Sequence, residues 1–343
     1  MRYLILSSVF CLLISCGEHQ EKVPFSSVEI ESLYTDSVSI RAIEFLDKNT
    51  LAFAGRNGIY GSIELNSAVV RTNVQEYDTL LPEYRAVGHT KNDFFMLSVG
   101  NPALLYKTGL GGTMELVYKE EGKGVFYDAL RFWNDDEGIA IGDSTADCLA
   151  MLITRDGGET WNKLSCNELP VAPEGEGAFA ASNTNIETIG NTTWVATTSG
   201  TVYFSPDKGK SWEVYTTPIV NKEATQGIYA IDFYDEMLGI AIGGDFTKPE
   251  SNHANKALTI DGGKHWTILA EGKAPGYKSC VQFVPNSEGK EMVALGFTGI
   301  SYSGNRGEDW KTLSKESFYT IQFLNDSIAY AAGKNRIAKL TFR

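Results

Sequence analysis

Residues able to bind or react gather at the ends of short apolar runs in this sequence. Arg41, Tyr84, Arg85, Tyr127, Asp128, Glu176, Phe179, Tyr229, Tyr277, Ser279 and Tyr319 stand at the start of such runs. Arg56, Asn101, Asp143, Asp147, Asp245, Lys248 and Glu250 follow the ends of others. Guanidinium groups pair bidentately with carboxylates, and aromatic rings offer rigid apolar area. The chemistry on offer is recognition of a polar small ligand or a protein segment. The candidate ligand-binding set is Arg41, Arg56, Arg85, Tyr127, Asp128, Asp143, Glu176, Asp245, Lys248, Tyr277 and Ser279. No catalytic set is complete, and none is assigned. No G-x-G-x-x-G sits on a strand–helix turn, no C-x-x-C occurs, and His19, His89, His253 and His265 are scattered. Nothing calls for a cofactor. Asp143, Asp147 and Asp245 carry the oxygen donors that calcium takes, but no metal is assigned to them.

The elements that must position these residues are short strands. Of the 343 residues, 43% are hydrophobic and 21% charged, enough to bury a large core and to exclude a disordered chain. The 43 acidic residues outnumber the 30 basic ones, for a net charge of −13. That balance argues against nucleic acid or an anionic membrane surface as a direct partner. The 34 glycines exceed the usual ~7% and recur at regular places. Four stretches fit the pattern S/T-x-D/N-x-G-x-x-W: Thr154–Trp161, Ser205–Trp212, Thr259–Trp266 and Ser303–Trp310. They resemble the Asp-box (BNR) hairpin turn. Asp156, Asp207, Asp261 and Asn305 then serve to satisfy turn backbone, while Trp161, Trp212, Trp266 and Trp310 pack on the neighbouring sheet. The structural role is preferred over a catalytic one.

A second repeat, out of phase with the first, is a strand, a polar turn and an apolar strand ending in a small residue. Ile43-Glu44-Phe45 with Leu51–Gly55, Leu130-Arg131-Phe132 with Gly138–Gly142, and Ile231-Asp232-Phe233 with Gly239–Gly243 show it plainly. Val281-Gln282-Phe283 with Met292–Gly296 and Ile321-Gln322-Phe323 with Ile328–Gly333 repeat it, and Phe95–Gly100 and Thr193–Thr198 are weaker copies. The seven units lie between 37 and 56 residues apart, the period of propeller blades. The expected fold is all-β, a single seven-bladed propeller over residues 28–343, its ring closed by the N-terminal strand Val28–Tyr34. Cys148 and Cys166 each lie nine residues from Gly157 and are predicted to meet as a disulfide across antiparallel strands. Cys280 is predicted to be a free core residue.

The N-terminus has the form of an export signal: Arg2, an apolar run from Tyr3 to Ile14, then Ser15 and Cys16. Leu13-Ile14-Ser15-Cys16-Gly17 resembles the lipobox of bacterial lipoproteins. The resemblance implies a signal peptide over 1–15 that carries Cys11 away, lipidation of Cys16, and a tether over 16–27. The expected location is the cell envelope, on a periplasmic or outer-membrane surface, with the membrane touched only through acyl chains.

A wider resemblance rests on Phe132-Trp133-Asn134-Asp135 through Gly142-Asp143, on Gly175–Ser182, on Gly243–Pro249 and on Ala274–Ser279. These segments look like the exported propellers related to photosystem II stability and assembly factors. The resemblance covers essentially the whole mature chain and implies an assembly factor that binds a partner protein through an arginine-bearing face. Two features depart from it: the first two units lack a readable Asp-box, and nothing in the chain speaks of photosynthesis. The alternatives are a sialidase-like glycoside hydrolase and an oxidoreductase. Sialidases carry Asp-boxes too, and Arg41, Arg56, Arg85, Tyr277, Glu176 and Asp143 are the types such a site uses. However, no arginine occurs between Arg155 and Arg306, and F/Y-R-I-P is missing. An oxidoreductase has no readable cofactor site here. The expectation is a monomeric binding or assembly module working through its polar funnel face.

Overall fold

The computed structural model describes residues 23–343, so Cys16, the signal segment and most of the tether lie outside the described residues. Seven strands stand in a closed ring about one axis: Val28–Asp47, Tyr84–His89, Tyr127–Phe132, Ile186–Ile189, Gln226–Phe233, Cys280–Phe283 and Thr320–Phe323. Each packs on the next, and the last returns to the first. Outward from them the chain forms antiparallel sheets, five of four strands and one of six. The fold is an all-β propeller. The expectation of seven separate blades is corrected to six sheets, for a reason visible in the pairing. Val28–Asp47 pairs with the terminal strand Ile328–Phe342 along its first part and with Thr50–Gly55 along its second. One continuous strand thereby fuses the first and last repeat units into one sheet. The terminal strand also folds back on itself near Asn335, which has φ 66°, because Phe342 N–H donates to Ser327 O at 2.8 Å.

The core lies between the sheets, where alternate residues of neighbouring strands interdigitate. Trp194 stacks on Phe233 with centroids 3.8 Å apart, and Phe95 packs on Phe132 at 4.7 Å. Burying one such ring contributes roughly 1.5–3 kcal/mol. At the outer rim the four S/T-x-D/N-x-G-x-x-W turns share one bonding pattern. In the first, the Thr154 hydroxyl donates to Asp156 and accepts from Gly158 N–H, and Asp156 accepts from both the N–H and the hydroxyl of Thr160. Gly157 N–H reaches Asp136 O and Gly262 N–H reaches Met237 O, so these turns rest on the first hairpin of their own sheets.

Four of the ring strands are bulged where they enter. Arg41, Arg85, Asp128 and Tyr229 are each the extra residue, skipped in the register with the second strand. A bulge bends the strand and re-aims one side chain. The glycine that ends the second strand in most units permits the close approach. A Cβ at Gly142 would come within 2.2 Å of Phe126 O, and one at Gly243 within 1.9 Å of Gly227 O.

Cys148 and Cys166 are joined, with Cα atoms 5.4 Å apart. Neither lies inside a strand. Cys148 precedes Ala150–Thr154 and Cys166 opens the short turn Cys166–Glu168, so the bond staples loop to loop instead of facing strands. Cys280 is free and buried. At the start of the described chain, Ser26 and Ser27 N–H both donate to Arg343 O, and Phe25 packs on Tyr302 and Phe342.

Candidate functional site

The centre of the ring is crossed by the chain itself. Residues 177–185, Gly-Ala-Phe-Ala-Ala-Ser-Asn-Thr-Asn, leave one sheet and bond to strands around the circle. Arg85 Nη1 donates to Ala180 O at 3.4 Å and Arg41 Nη1 to Ala181 O at 3.2 Å. The Ser182 hydroxyl donates to Ser279 O, and its carbonyl accepts from the Thr320 hydroxyl. Asn183 donates to Val87 O and accepts from Leu130 N–H, while Thr184 O accepts from Ile231 N–H. Small residues are required where seven strands converge, and short polar side chains satisfy backbone groups of the ring strands. The segment acts as a plug, with a separate cavity at each mouth of the channel.

The mouth at the strand entrances holds a cup of about 390 Å³ floored by Ala180 and Ala181. Its wall is a belt of rings. Phe179 stacks on Tyr229 at 3.7 Å, Tyr229 meets Tyr277 edge-on at 4.7 Å, and Tyr277 lies 5.2 Å from Phe297. Opposite this belt, the Arg41 guanidinium sits 4.1 Å over the Tyr319 ring. Arg85 also lines the cup and is paired with Glu83 at 2.6 Å. Arg41 has no carboxylate within ion-pair distance among the described residues, and its Nε is buried without a hydrogen-bond partner. Burial, and then the like charge of Arg85, hold its pKa below the usual arginine value. Such a pair is stabilised by an anion.

Beyond Arg85 the cup continues into a second cavity of about 510 Å³ that includes Asp143, Glu174 and Lys222. Asp128 lies fully buried facing Asp143. Burial and the neighbouring Asp143 charge push its carboxyl well above the ordinary range. Asp143 accepts from Ala178 N–H at 3.1 Å and thereby holds one end of the plug.

Other residues singled out in the sequence stand apart from the cup. Glu176 is boxed in by the hydroxyls of Thr197, Ser199, Thr201 and Tyr203, so its oxygens are engaged within its own sheet. Tyr127 turns into the core and donates to Glu120 at 2.6 Å. Asp245 accepts from the Thr247 hydroxyl and N–H and is held down to about 2, mainly by that hydroxyl. Lys248 closes the same exposed turn through its N–H to Asp245 O. Arg56 is exposed on the loop after Thr50–Gly55 and lines neither cavity. Arg41, Arg85, Tyr277 and Ser279 are brought together. No tyrosine–glutamate pair forms at Tyr277, since Glu176 is committed elsewhere. Phe246 and Phe297, 46% and 41% exposed at the rim, were missed; their signal was an aromatic directly after the second strand's end.

The opposite mouth was missed altogether. There the middle residues of four of the five I-x-F-type repeats meet: Glu44, Asp232, Gln282 and Gln322, joined by His89, line a cavity of about 490 Å³. Glu44 accepts from Gln322 at 3.0 Å and lies 2.9 Å from His89 Nδ1. Arg131 and Glu187 stand behind them, 3.4 Å apart.

No protein-family model and no curated protein sequence matches the chain. Solved structures do match in fold. A structure of YCF48 bound to D1 peptide is 14% identical with TM-score 0.63, covering 94% of this chain and 96% of its own. YCF48 from Cyanidioschyzon merolae is 11% identical with TM-score 0.63, over 93% of this chain and 99% of that one. The RRP9 WD40 repeats are 10% identical with TM-score 0.65, over 94% and 99%. At these identities the likeness is one of fold alone, and the chain is a β-propeller.

Proposed function

We propose that the protein is a binding or assembly module that holds a carboxylate-bearing segment of a partner protein in the cup. The observation that carries this reading is the convergence of Arg41 and Arg85 opposite the belt Phe179–Tyr229–Tyr277–Phe297. Arginine and aromatic side chains are the types that dominate binding energy at interfaces. A propeller of the same fold, YCF48, has been captured with a peptide, which supports a polypeptide ligand and agrees with the resemblance to photosystem II assembly factors. The four rim turns are assigned as Asp-boxes, and the pairing of Val28–Ser39 with the terminal strand as the closure of the ring. The chain is exported and anchored through Cys16 to an envelope membrane.

The test uses acidic and neutral peptides against the immobilised protein. Acidic peptides should bind, and Arg41→Ala with Arg85→Ala should weaken them at least a hundredfold, since truncating one partner of a buried charge pair costs about 2–5 kcal/mol. Equal retention of neutral peptides, or unchanged binding by the double variant, would overturn the assignment. For the anchor, Cys16→Ser should move the protein from the membrane to the soluble fraction.

A further inference from the structure

The cavity at the far mouth has a different chemistry from the cup. Its polar surface is made of two carboxylates, two amides and one imidazole: Glu44, Asp232, Gln282, Gln322 and His89. The walls between them are apolar, supplied by the phenylalanines that follow in each repeat, such as Phe233 and Phe283. An apolar wall strengthens any charge interaction made against it.

The two carboxylates are unequal. Glu44 is fully served: His89 and Gln322 bond it, Arg131 lies 3.8 Å away, and these partners hold its pKa down against its burial. Asp232 has no such company. One oxygen accepts Phe283 N–H at 2.6 Å, and no cationic side chain stands within ion-pair distance among the described residues. The charged groups around it are Glu187, which repels it, Arg131, already shared by Glu187 and Glu44, and the buried thiol of Cys280. Burial and Glu187 therefore push the Asp232 carboxyl well above the usual range. Within the cavity lining it is the Asp232 carboxyl that lacks a cationic, hydrogen-donating partner.

We propose that this second mouth is a binding site for an alkylammonium group, seated against Asp232, with the remaining lone pairs of Glu44 and of the Gln282 and Gln322 amide oxygens as further acceptors, Gln282 already taking Phe323 N–H. A primary ammonium has three donors and no acceptor, which suits two carboxylates and two amide oxygens. The group can come from a free polyamine or from a lysine side chain of a partner.

Calorimetric titration of the intact chain with butylammonium, spermidine and Nα-acetyl-lysine amide, whose side-chain ammonium is free, tests this. All three should bind, spermidine leading if the source is a polyamine and acetyl-lysine amide leading if it is a protein. Butanesulfonate should not bind. Asp232→Asn keeps the acceptor for Phe283 N–H but removes the charge, so its thermal midpoint should not fall while ammonium affinity drops at least tenfold. Glu213→Gln, an exposed outer-strand change, should leave that affinity as it was. Absence of heat with every ammonium, equal binding of butanesulfonate, or unchanged affinity in Asp232→Asn would overturn the site. Arg41→Ala with Arg85→Ala should not alter ammonium binding, so failure here and failure of the cup are told apart.

Discussion

The two mouths of the channel are made from the same strands and carry opposite chemistry. Arg41 and Glu44 lie three residues apart on one strand, as do Asp128 and Arg131, and Tyr229 and Asp232. At about 3.3 Å per residue, each pair spans roughly 10 Å. Along Arg41–Glu44 and Tyr229–Asp232 the wall passes from guanidinium or phenol to carboxylate, with the plug between, while Asp128–Arg131 runs the other way and sets an acid behind the cup and a guanidinium behind the far mouth. The ring strands thus present two sets of side chains, bulged entrances turned into the cup and middle residues turned into the far mouth. On the cup side Arg41 has no ion-pair partner among the described residues, and on the far side Asp232 has none. Each mouth is incomplete in the sense opposite to the other.

The most disruptive way to break this contrast is to remove the close approach behind a bulge. Gly243→Ala would place a Cβ 1.9 Å from Gly227 O, against backbone that cannot swing aside. We expect a loss of about 3 kcal/mol or more, read as a lowered thermal midpoint, together with loss of cup binding because Tyr229 is re-aimed. Gly100→Ala, with nothing within 4 Å of the new Cβ, should be near neutral.

A subtler test compares two buried acids whose carboxyls are pushed well above the usual range, Asp128 on the cup side and Asp232 on the far side. A carboxyl whose folded pKa is raised binds a proton that the unfolded chain has released, so it takes stability away as pH rises above about 4. Asp128→Asn and Asp232→Asn imitate the protonated form. Each should raise the thermal midpoint at pH 7, with the gain shrinking towards pH 3. A midpoint gain that persists unchanged at pH 3 would mean the carboxyls are not the cause. The smallest effect is expected at the rim. Phe297→Ala removes one exposed ring of the belt and should weaken peptide binding by a few-fold, with no change at the far mouth.

How much of this was legible in the sequence differs by level. The rim turns could be read because every group in them is local: Thr154, Asp156, Gly158 and Thr160 bond within seven residues. The strand periodicity gave the propeller, but not that Val28–Asp47 would run unbroken through two sheets, since continuity depends on pairing with a strand three hundred residues away. Arg41, Arg85, Tyr277 and Ser279 were found because they stand at strand entrances. Glu176 and Tyr127 stand there too, yet their side chains turn to Thr201 and Glu120, a choice set by tertiary partners. The far mouth was spelled out in the repeat, as the middle residue of Ile43-Glu44-Phe45 and its copies, but each copy is a lone charge flanked by apolar residues. Only the ring makes them neighbours. The bulges left a trace in the terminal glycines of the second strands, which were read as strand ends and not as clearance for backbone.

The bonds from Ser26 and Ser27 to Arg343 fix where the chain joins the propeller. Phe25 and Pro24 lie beside Tyr302 and the rim turn at Asn305, on the side of the far mouth. With an acyl anchor at Cys16, a handful of residues upstream, the disc would ride with its rim turns towards the lipid and its arginine cup turned to the open compartment. The stitch at the chain ends would then act as a compass, deciding which of two chemically opposite faces a passing protein meets first.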